Sequence, residues 1–497
     1  MMYHSTRDKS VRVSAAQAIA QGISKEGGLF VPVELPLFDM MKLMRYESMG
    51  YASRAQDILA AFLTDFSADE LRECVHSAYG THRFDHERIA PIFPLGDTMR
   101  LLELWHGPTC AFKDMALQLL PHLLTRAVKK TMGGKHTAIL VATSGDTGKA
   151  ALDGFADVPD TSILVFYPHG GVSEVQRLQM ATQKGNNTTV VAVRGNFDDT
   201  QTAVKKIFTN HDMNKMLADK GMVFSSANSI NWGRLVPQIV YYISAYCDMA
   251  GAGDIQMGEK INICVPTGNF GNILAAYYAK HMGLPVNMLI CASNVNKVLS
   301  DFIETGVYDR RREFVLTSSP SMDILISSNL ERLLFALCGE DDKMVADMMG
   351  SLTQTGVYTI PDAAREKLQS EFAGGFCDEQ KTGETIRGIF ELHGYLCDTH
   401  TAVAVDVHRQ YMERTGDKTK TLIASTANPY KFAAGILPVF ERAAPGASEF
   451  AQIRRLREIS GMEVPEQLLE LEGKDIRFDT VCGADEMESA VRQALKK

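Results

Sequence analysis

"TAILVATSGDTGKAALDGFA", residues 137–156, decides the reading of the fold. It opens on a continuous apolar run of strand length (137–143), passes through a Gly-rich turn, and ends in the helical "GKAALDGFA". An uninterrupted apolar strand is buried on both faces, as in a parallel sheet whose crossovers are helices. The unit recurs. "TSILVFYP" (161–168) precedes "VSEVQRLQMAT", where Val172, Val175, Leu178 and Met180 roughly share a helical face. "TTVVAVRG" (188–195) precedes "DDTQTAVKKIFTNHDMNKML", read as one further helix. After a polar, Gly-rich stretch at 250–260 come "INICVPT" (261–267), "VNMLICAS" (286–293) and "TLIAST" (421–426). A long, mainly helical insertion, about 295–400, separates the last two. The pattern predicts an α/β protein with two sheets.

Composition narrows the function. A chain of 497 residues is expected to form two or three domains. Hydrophobic residues make up 45% and charged residues 22%, an ordinary globular balance. The 51 Lys and Arg against 60 Asp and Glu leave a net charge of -9, which does not suit a nucleic-acid backbone or an anionic membrane. The start, "MMYHSTRDKS", lacks the apolar core of a signal peptide, and no apolar stretch is long enough to span a bilayer. Nine cysteines, without C-x-x-C spacing, read as reduced, mostly buried thiols rather than a disulfide frame or metal site. The expectation is a cytoplasmic protein.

In open α/β sheets, ligands bind beyond the carboxyl ends of strands. "PTGNFGNI" (266–273) joins a strand to the helical "ILAAYYAKHM". Gly268 and Gly271 permit close backbone approach and positive φ, so successive N–H groups can cradle a phosphate; the plain alternative is a tight turn. "ATSGDTGKA" (142–150) places Thr143, Ser144, Asp146 and Thr147 at a helix start, able to hold a substrate carboxylate or merely to cap the helix. "SANSINWGRL" (226–235) brings Asn228, Asn231 and Arg234 together, the arginine suited to a phosphate or carboxylate, or to closing a helix end. "ASTANPYKF" (424–432) ends a strand on Ser425 and Thr426.

"HGPTCAFKDMALQLL" (106–120) ties these loops together. Lys113 follows a turn and stands behind Ala111 and Phe112, where lysine is rarely buried without a partner. Desolvation lowers an amine's pKa and makes it nucleophilic near neutral pH. Such lysines condense with carbonyl compounds, pyridoxal phosphate being the commonest. That cofactor needs an amine for its aldehyde, a cradle for its phosphate and a partner for its ring nitrogen. Lys113, residues 268–272 and Ser425 or Thr426 supply them, and 143–147 can receive the substrate carboxylate. The alternative for Lys113 is a snorkelling lysine at a helix start.

With these stretches in place, the sequence resembles the threonine synthase family, among the fold type II pyridoxal phosphate enzymes related to tryptophan synthase β. The resemblance is carried by "YHSTR", "EGGLFVP" (26–32), "HGPTCAFKDMALQ" (106–118), "ATSGDTG" (142–148), "NSINWGR" (228–234), "PTGNFGNI" (266–273), "SPSMDILISSNLERLLF" (319–335), "DTHTAVA" (398–404) and "STANPYKF" (425–432), in the family's order. The last departs from the family at Asn428 and Tyr430, where members more usually have His and Ala.

The resemblance implies conversion of O-phospho-L-homoserine and water to L-threonine and phosphate, by γ-elimination and β-hydration. Lys113 would hold the cofactor and move protons at Cα and neighbouring carbons. Gly268, Asn269, Phe270, Gly271 and Asn272 would cradle the cofactor phosphate, and Thr426 or Ser425 would donate to its ring nitrogen. Thr143, Ser144, Asp146 and Thr147 would help hold the substrate, with Asn228 and Arg234 near its phosphate. It also implies a helical N-terminal domain (1–85) before a catalytic region (86–497), with a small sheet domain at about 128–225, two open, mostly parallel sheets, and the cofactor in the cleft between them. The expected partner is a small molecule, with neither nucleic acid nor membrane, for a monomer or small homo-oligomer. The rival readings are a related dehydratase or phospholyase and a non-catalytic homologue.

Overall fold

The computed structural model describes residues 1–143, 145–195, 197–441 and 446–495. The larger sheet has six strands in the order Phe372–Phe376, Val286–Ser293, Ile261–Pro266, Thr421–Ser425, Met99–Glu103 and Ile92–Leu95. All neighbours run parallel except the last pair. The second sheet is wholly parallel, ordered Val481–Gly483, Thr188–Arg194, Thr161–Pro168, His136–Ala142, Met222–Ser225. Its central strand Thr161–Pro168 is almost entirely buried, as a sheet covered by helices on both faces requires. The six strands read from apolar runs are all present, within a residue or so of their expected ends.

Short strands were not foreseen. Two small antiparallel sheets, Arg12–Ser14 with Met2–Ser5 and Phe30–Pro32, and Val307–Asp309 with Val357–Thr359, add to the two expected. Inside the helical insertion, Phe372–Phe376 forms an edge of the large sheet. Its sequence, "FAGGF", reads as a turn, yet a Cβ on Gly375 would come within 2.7 Å of Val407 and one on Gly374 within 3.1 Å of Ser300. The glycines let helices lie close on that edge.

The segment after Thr188–Arg194 is two helices rather than one, Phe197–Thr209 and His211–Asp219. Asn210 breaks it, its side chain accepting from the N–H groups of Asp212 and Met213 at 2.9 and 3.2 Å. Near the N-terminus, helix Tyr51–Phe62 packs on the long, buried helix Trp232–Gly251. Arg54 fastens the two, donating to Ser244 Oγ at 2.7 Å and Asp248 at 2.6 Å. All nine cysteines are unpaired and eight are buried. Among the described residues, no helix is long and apolar enough to cross a membrane.

Candidate active site

The Lys113 segment is stapled to the end of strand Thr421–Ser425. Phe112 N–H donates to the Thr426 carbonyl at 2.8 Å and Asn428 N–H to the Cys110 carbonyl at 3.0 Å, while Ala111 and Ala427 form an antiparallel bridge. The turn before it is held by the buried Asp114, which accepts from Thr109 N–H and Oγ1 at 2.8 and 2.7 Å. A Cβ on Gly107 would fall 2.5 Å from that aspartate, so the turn needs a glycine there. Lys113 therefore leaves the sheet edge from a fixed backbone.

Its side chain is 12% exposed. The amine stands 3.7 Å from Asp146 Oδ2 and 3.4 Å from Ser321 Oγ, and 4.9 Å from the Phe112 ring centre. Burial pushes the amine below the usual lysine range; Asp146 opposes this, and Lys431 and Arg234 add to it. Asp146 is itself shared. Its Oδ1 lies 2.7 Å from the ammonium of Lys431 and accepts from Gln176 Nε2 at 3.1 Å. Burial alone would raise this carboxyl, but Lys431 and then Lys113 outweigh it and hold it below the usual carboxylate range. So placed, Asp146 faces lysines, and its charge would repel a substrate carboxylate.

In the glycine loop the backbone differs from expectation. The left-handed residue is Phe270, at φ 63, and neither Gly268 nor Gly271 has positive φ. The glycines serve close approach instead: a Cβ on Gly268 would sit 2.4 Å from the Ser321 carbonyl. Phe270 turns its ring into the core beside Phe372, leaving only its backbone for a ligand. Helix Gly271–His281 has no side-chain cap, so its first N–H groups remain for an anion. Asn269 is exposed at the loop tip. Asn272 is buried; its Oδ1 accepts from Tyr241 at 2.7 Å and from Tyr242, and its Nδ2 has no protein partner.

Ser425 and Thr426 part company at the strand end. Ser425 Oγ accepts from Trp105 Nε1 and Thr401 Oγ1, both at 3.1 Å, and faces the interior. Among the described residues, the Thr426 hydroxyl has no protein hydrogen bond, and its backbone is the one tied to Phe112. Of the next residues, Asn428 caps a short turn by accepting from Tyr430 N–H at 3.1 Å. The Tyr430 hydroxyl is spent on the Met462 carbonyl, to which it donates at 2.6 Å.

Thr143 Oγ1 accepts from Gly145 and Gly148 N–H groups, both at 2.9 Å, and so holds the turn that starts helix Asp146–Phe155. Thr147 is half-buried on that helix. Ser144 lies outside the described residues. Asn231 is spent on structure, capping helix Trp232–Gly251 through Gly233 N–H at 2.8 Å and donating to Ile19 and Ser226 carbonyls at 3.0 Å. Arg234 is buried without a carboxylate. It donates to the Ala227 carbonyl at 2.6 Å, its Nε has no protein partner, and burial pushes it down to about 10, still cationic at neutral pH. The buried Asn228 Oδ1 is also without a partner.

Lys431, Ser321 and the His400–Asp398 pair escaped sequence reasoning. Lys431 was passed over inside its motif. Ser321 lies in the insertion, wedged between the amine and Gly268. Its N–H donates to His400 Nε2 at 3.1 Å, and His400 Nδ1 pairs with Asp398 at 2.7 Å. Only chain folding brings these segments to Lys113; no local spacing signals it.

These groups fit pyridoxal phosphate: a semi-buried amine, an uncapped helix start with an unsatisfied Asn272 amide, and a free hydroxyl beside the lysine segment. Comparison with known proteins agrees. Residues 2–79 match the family described as threonine synthase N terminus, and residues 95–426 the pyridoxal-phosphate dependent enzyme family. Human threonine synthase-like 1 is 40% identical over 96% of this chain, which spans 65% of that relative's length. The threonine synthase of Pseudomonas aeruginosa is 37% identical, covering 87% of this chain and 89% of its own. The structure of PLP-bound threonine synthase from Brucella melitensis superposes over 100% of both chains with TM-score 0.88 at 35% identity. That of yeast threonine synthase reaches the same TM-score of 0.88 at 31% identity, over 100% of this chain and 98% of its own. The chain therefore belongs to the threonine synthase family of pyridoxal-phosphate-dependent enzymes.

Proposed function

We propose that this protein converts O-phospho-L-homoserine and water to L-threonine and inorganic phosphate. The carrying observation is the Lys113 amine, held 3.7 Å from Asp146 and 3.4 Å from Ser321, on a backbone bonded to Thr426. The uncapped start of Gly271–His281, with Gly268 and the Asn272 amide, would hold the cofactor phosphate. Thr426 would present its hydroxyl to the ring nitrogen. When bound, pyridoxal phosphate supplies an electron sink for a carbanion beside the amino nitrogen.

Lys113, whose proton is loosened by burial and by the cations Lys431 and Arg234, takes the proton from substrate Cα and moves protons at the carbons beyond. Loss of the Cβ proton lets phosphate leave Cγ as a Cβ–Cγ double bond forms; a proton then goes to Cγ, water gives its hydroxyl to Cβ, and a proton returns to Cα. Arg234, a buried cation without a carboxylate, is suited to the substrate phosphate, with Asn228 beside it. Thr147, on the 146–155 helix, and Ser144 would meet the substrate's other end. We assign residues 1–85 to an N-terminal domain and 86–497 to the catalytic region, with a small sheet domain at about 128–225 whose sheet is completed by the distant strand Val481–Gly483.

The test is to supply phosphohomoserine and follow both products. Equal amounts of phosphate and threonine are expected. Phosphate released with 2-oxobutanoate and ammonia, and no threonine, would make the protein a phospholyase instead.

A further inference from the structure

Lys431 is the cation near Lys113 to which the reaction above gives no task. Its side chain is completely buried, its ammonium 2.7 Å from Asp146 Oδ1 and 2.8 Å from the Thr109 carbonyl to which it donates. Asp146 thus serves two lysines from separate segments, its second oxygen 3.7 Å from the Lys113 amine. The groups facing that amine come from four elements. They are Asp146 from the 146–155 helix, Lys431 from the Pro429–Phe432 turn, Arg234 from the Trp232–Gly251 helix and the Ser321 hydroxyl from the Pro320–Met322 turn. His400 and Asp398 lie behind Ser321 and pair with each other. Two lysines therefore share one carboxylate, and Arg234 adds positive charge near the Lys113 amine without pairing to it.

A buried carboxylate left to a single lysine forms a tight ion pair and keeps the amine protonated. We propose that Lys431 is a positioning residue for Lys113. It anchors Asp146 with one oxygen turned to the Lys113 amine, and takes up enough of the carboxylate's charge for that amine to give up its proton. This rests on the reading that Lys113 carries the cofactor and moves the substrate's protons. Lys431 touches neither, since it is sealed beneath Asp146 and Thr109.

The test uses the full chain freed of cofactor. Acetylation of Lys113 by acetic anhydride is followed across pH by peptide mass spectrometry, and its midpoint reports release of the proton. In Lys431→Met the whole charge of Asp146 falls to Lys113, and the midpoint rises by about one unit, a roughly ten-fold slower labelling at fixed pH below it. In Asp146→Asn the two lysines face each other without an anion, and the midpoint falls. The double variant, relieved of that repulsion, lies above Asp146→Asn alone. A purely structural lysine would lower thermal stability without moving the midpoint, and a folded Lys431→Met protein with the wild-type midpoint overturns the proposal. Should Lys431→Met fail to fold, equal midpoints for Asp146→Asn and the double variant overturn it as well. Borohydride reduction of cofactor-loaded wild type runs alongside; a pyridoxyl group on another lysine would overturn the underlying site reading, whatever the midpoints do.

Discussion

Phe112 donates its backbone N–H to the carbonyl of Thr426 at 2.8 Å, so the proposed cofactor lysine and the proposed ring-nitrogen hydroxyl are fixed by one hydrogen bond. Two segments more than three hundred positions apart in sequence thereby meet at the edge of the large sheet. The cofactor's two ends of reactivity would be set by backbone, not by flexible side chains.

Thr426→Asp follows from this. A carboxylate facing the ring nitrogen favours its protonated form, which a hydroxyl does not. The cofactor absorbance should shift and turnover fall by at least about ten-fold, the scale of a 1.4 kcal/mol change in barrier. A wild-type spectrum and rate would pass the role to Ser425, whose oxygen already accepts from Trp105 and Thr401.

Arg234→Ala separates substrates. A charge-assisted contact to phosphate is worth about 1.5–3 kcal/mol, or roughly ten- to two-hundred-fold in kcat/KM. Use of phosphohomoserine should weaken by that factor, while slow elimination from serine, which has no phosphate, is nearly unchanged. Equal losses on both would make the arginine a support for the Ala227 carbonyl alone.

Gly268→Ala tests the wedge. The new methyl would meet the Ser321 carbonyl at 2.4 Å, so either the glycine loop or the 319–322 turn must move. Overpacking of this kind costs about 1–3 kcal/mol. A lower thermal midpoint and weaker cofactor binding are expected in titrations of the cofactor-free protein. Wild-type values in both would show that the loop has room to spare.

His106 gives stability a pH dependence. Burial disfavours its charge, but Asp85 at 2.6 Å and Glu103 at 2.9 Å more than reverse this and raise it to about 9 from 6.5. Because the folded value is the higher one, the stabilisation is complete below pH 6.5 and disappears as pH climbs through 9. Its size is on the order of 2–3 kcal/mol, trimmed because Asp85 is half exposed. Thermal midpoints from pH 6 to 9.5 should fall less steeply in His106→Gln than in wild type. Parallel curves would show that the imidazolium contributes nothing.

The sequence announced what repeats locally. Apolar runs such as 161–168 and 286–293 are strands because both faces are buried, and that periodicity needs no partner to be seen. Edges were hidden: "FAGGF" looks like a turn until helices pack on its glycines, and Val481–Gly483 is too short to carry a pattern. The same division holds at the site. Lys113, the glycine loop and Thr426 were visible from residue type beside strand ends. Asp146 looked like a helix-start carboxylate for a substrate because Lys431, the partner that claims it, lies 285 positions away (431 − 146). Positive φ was assigned to the glycines by residue type, whereas the fold puts it on Phe270 by burying that ring.

The central claim is that Lys113 carries pyridoxal phosphate. Borohydride reduction of the loaded protein, followed by proteolysis and mass spectrometry, measures this directly. The pyridoxyl mass should appear on the peptide containing Lys113 and vanish in Lys113→Ala, which should still fold, because the sheets do not depend on that amine. A pyridoxyl group on Lys431 or any other lysine, with Lys113 unmodified, would contradict the account.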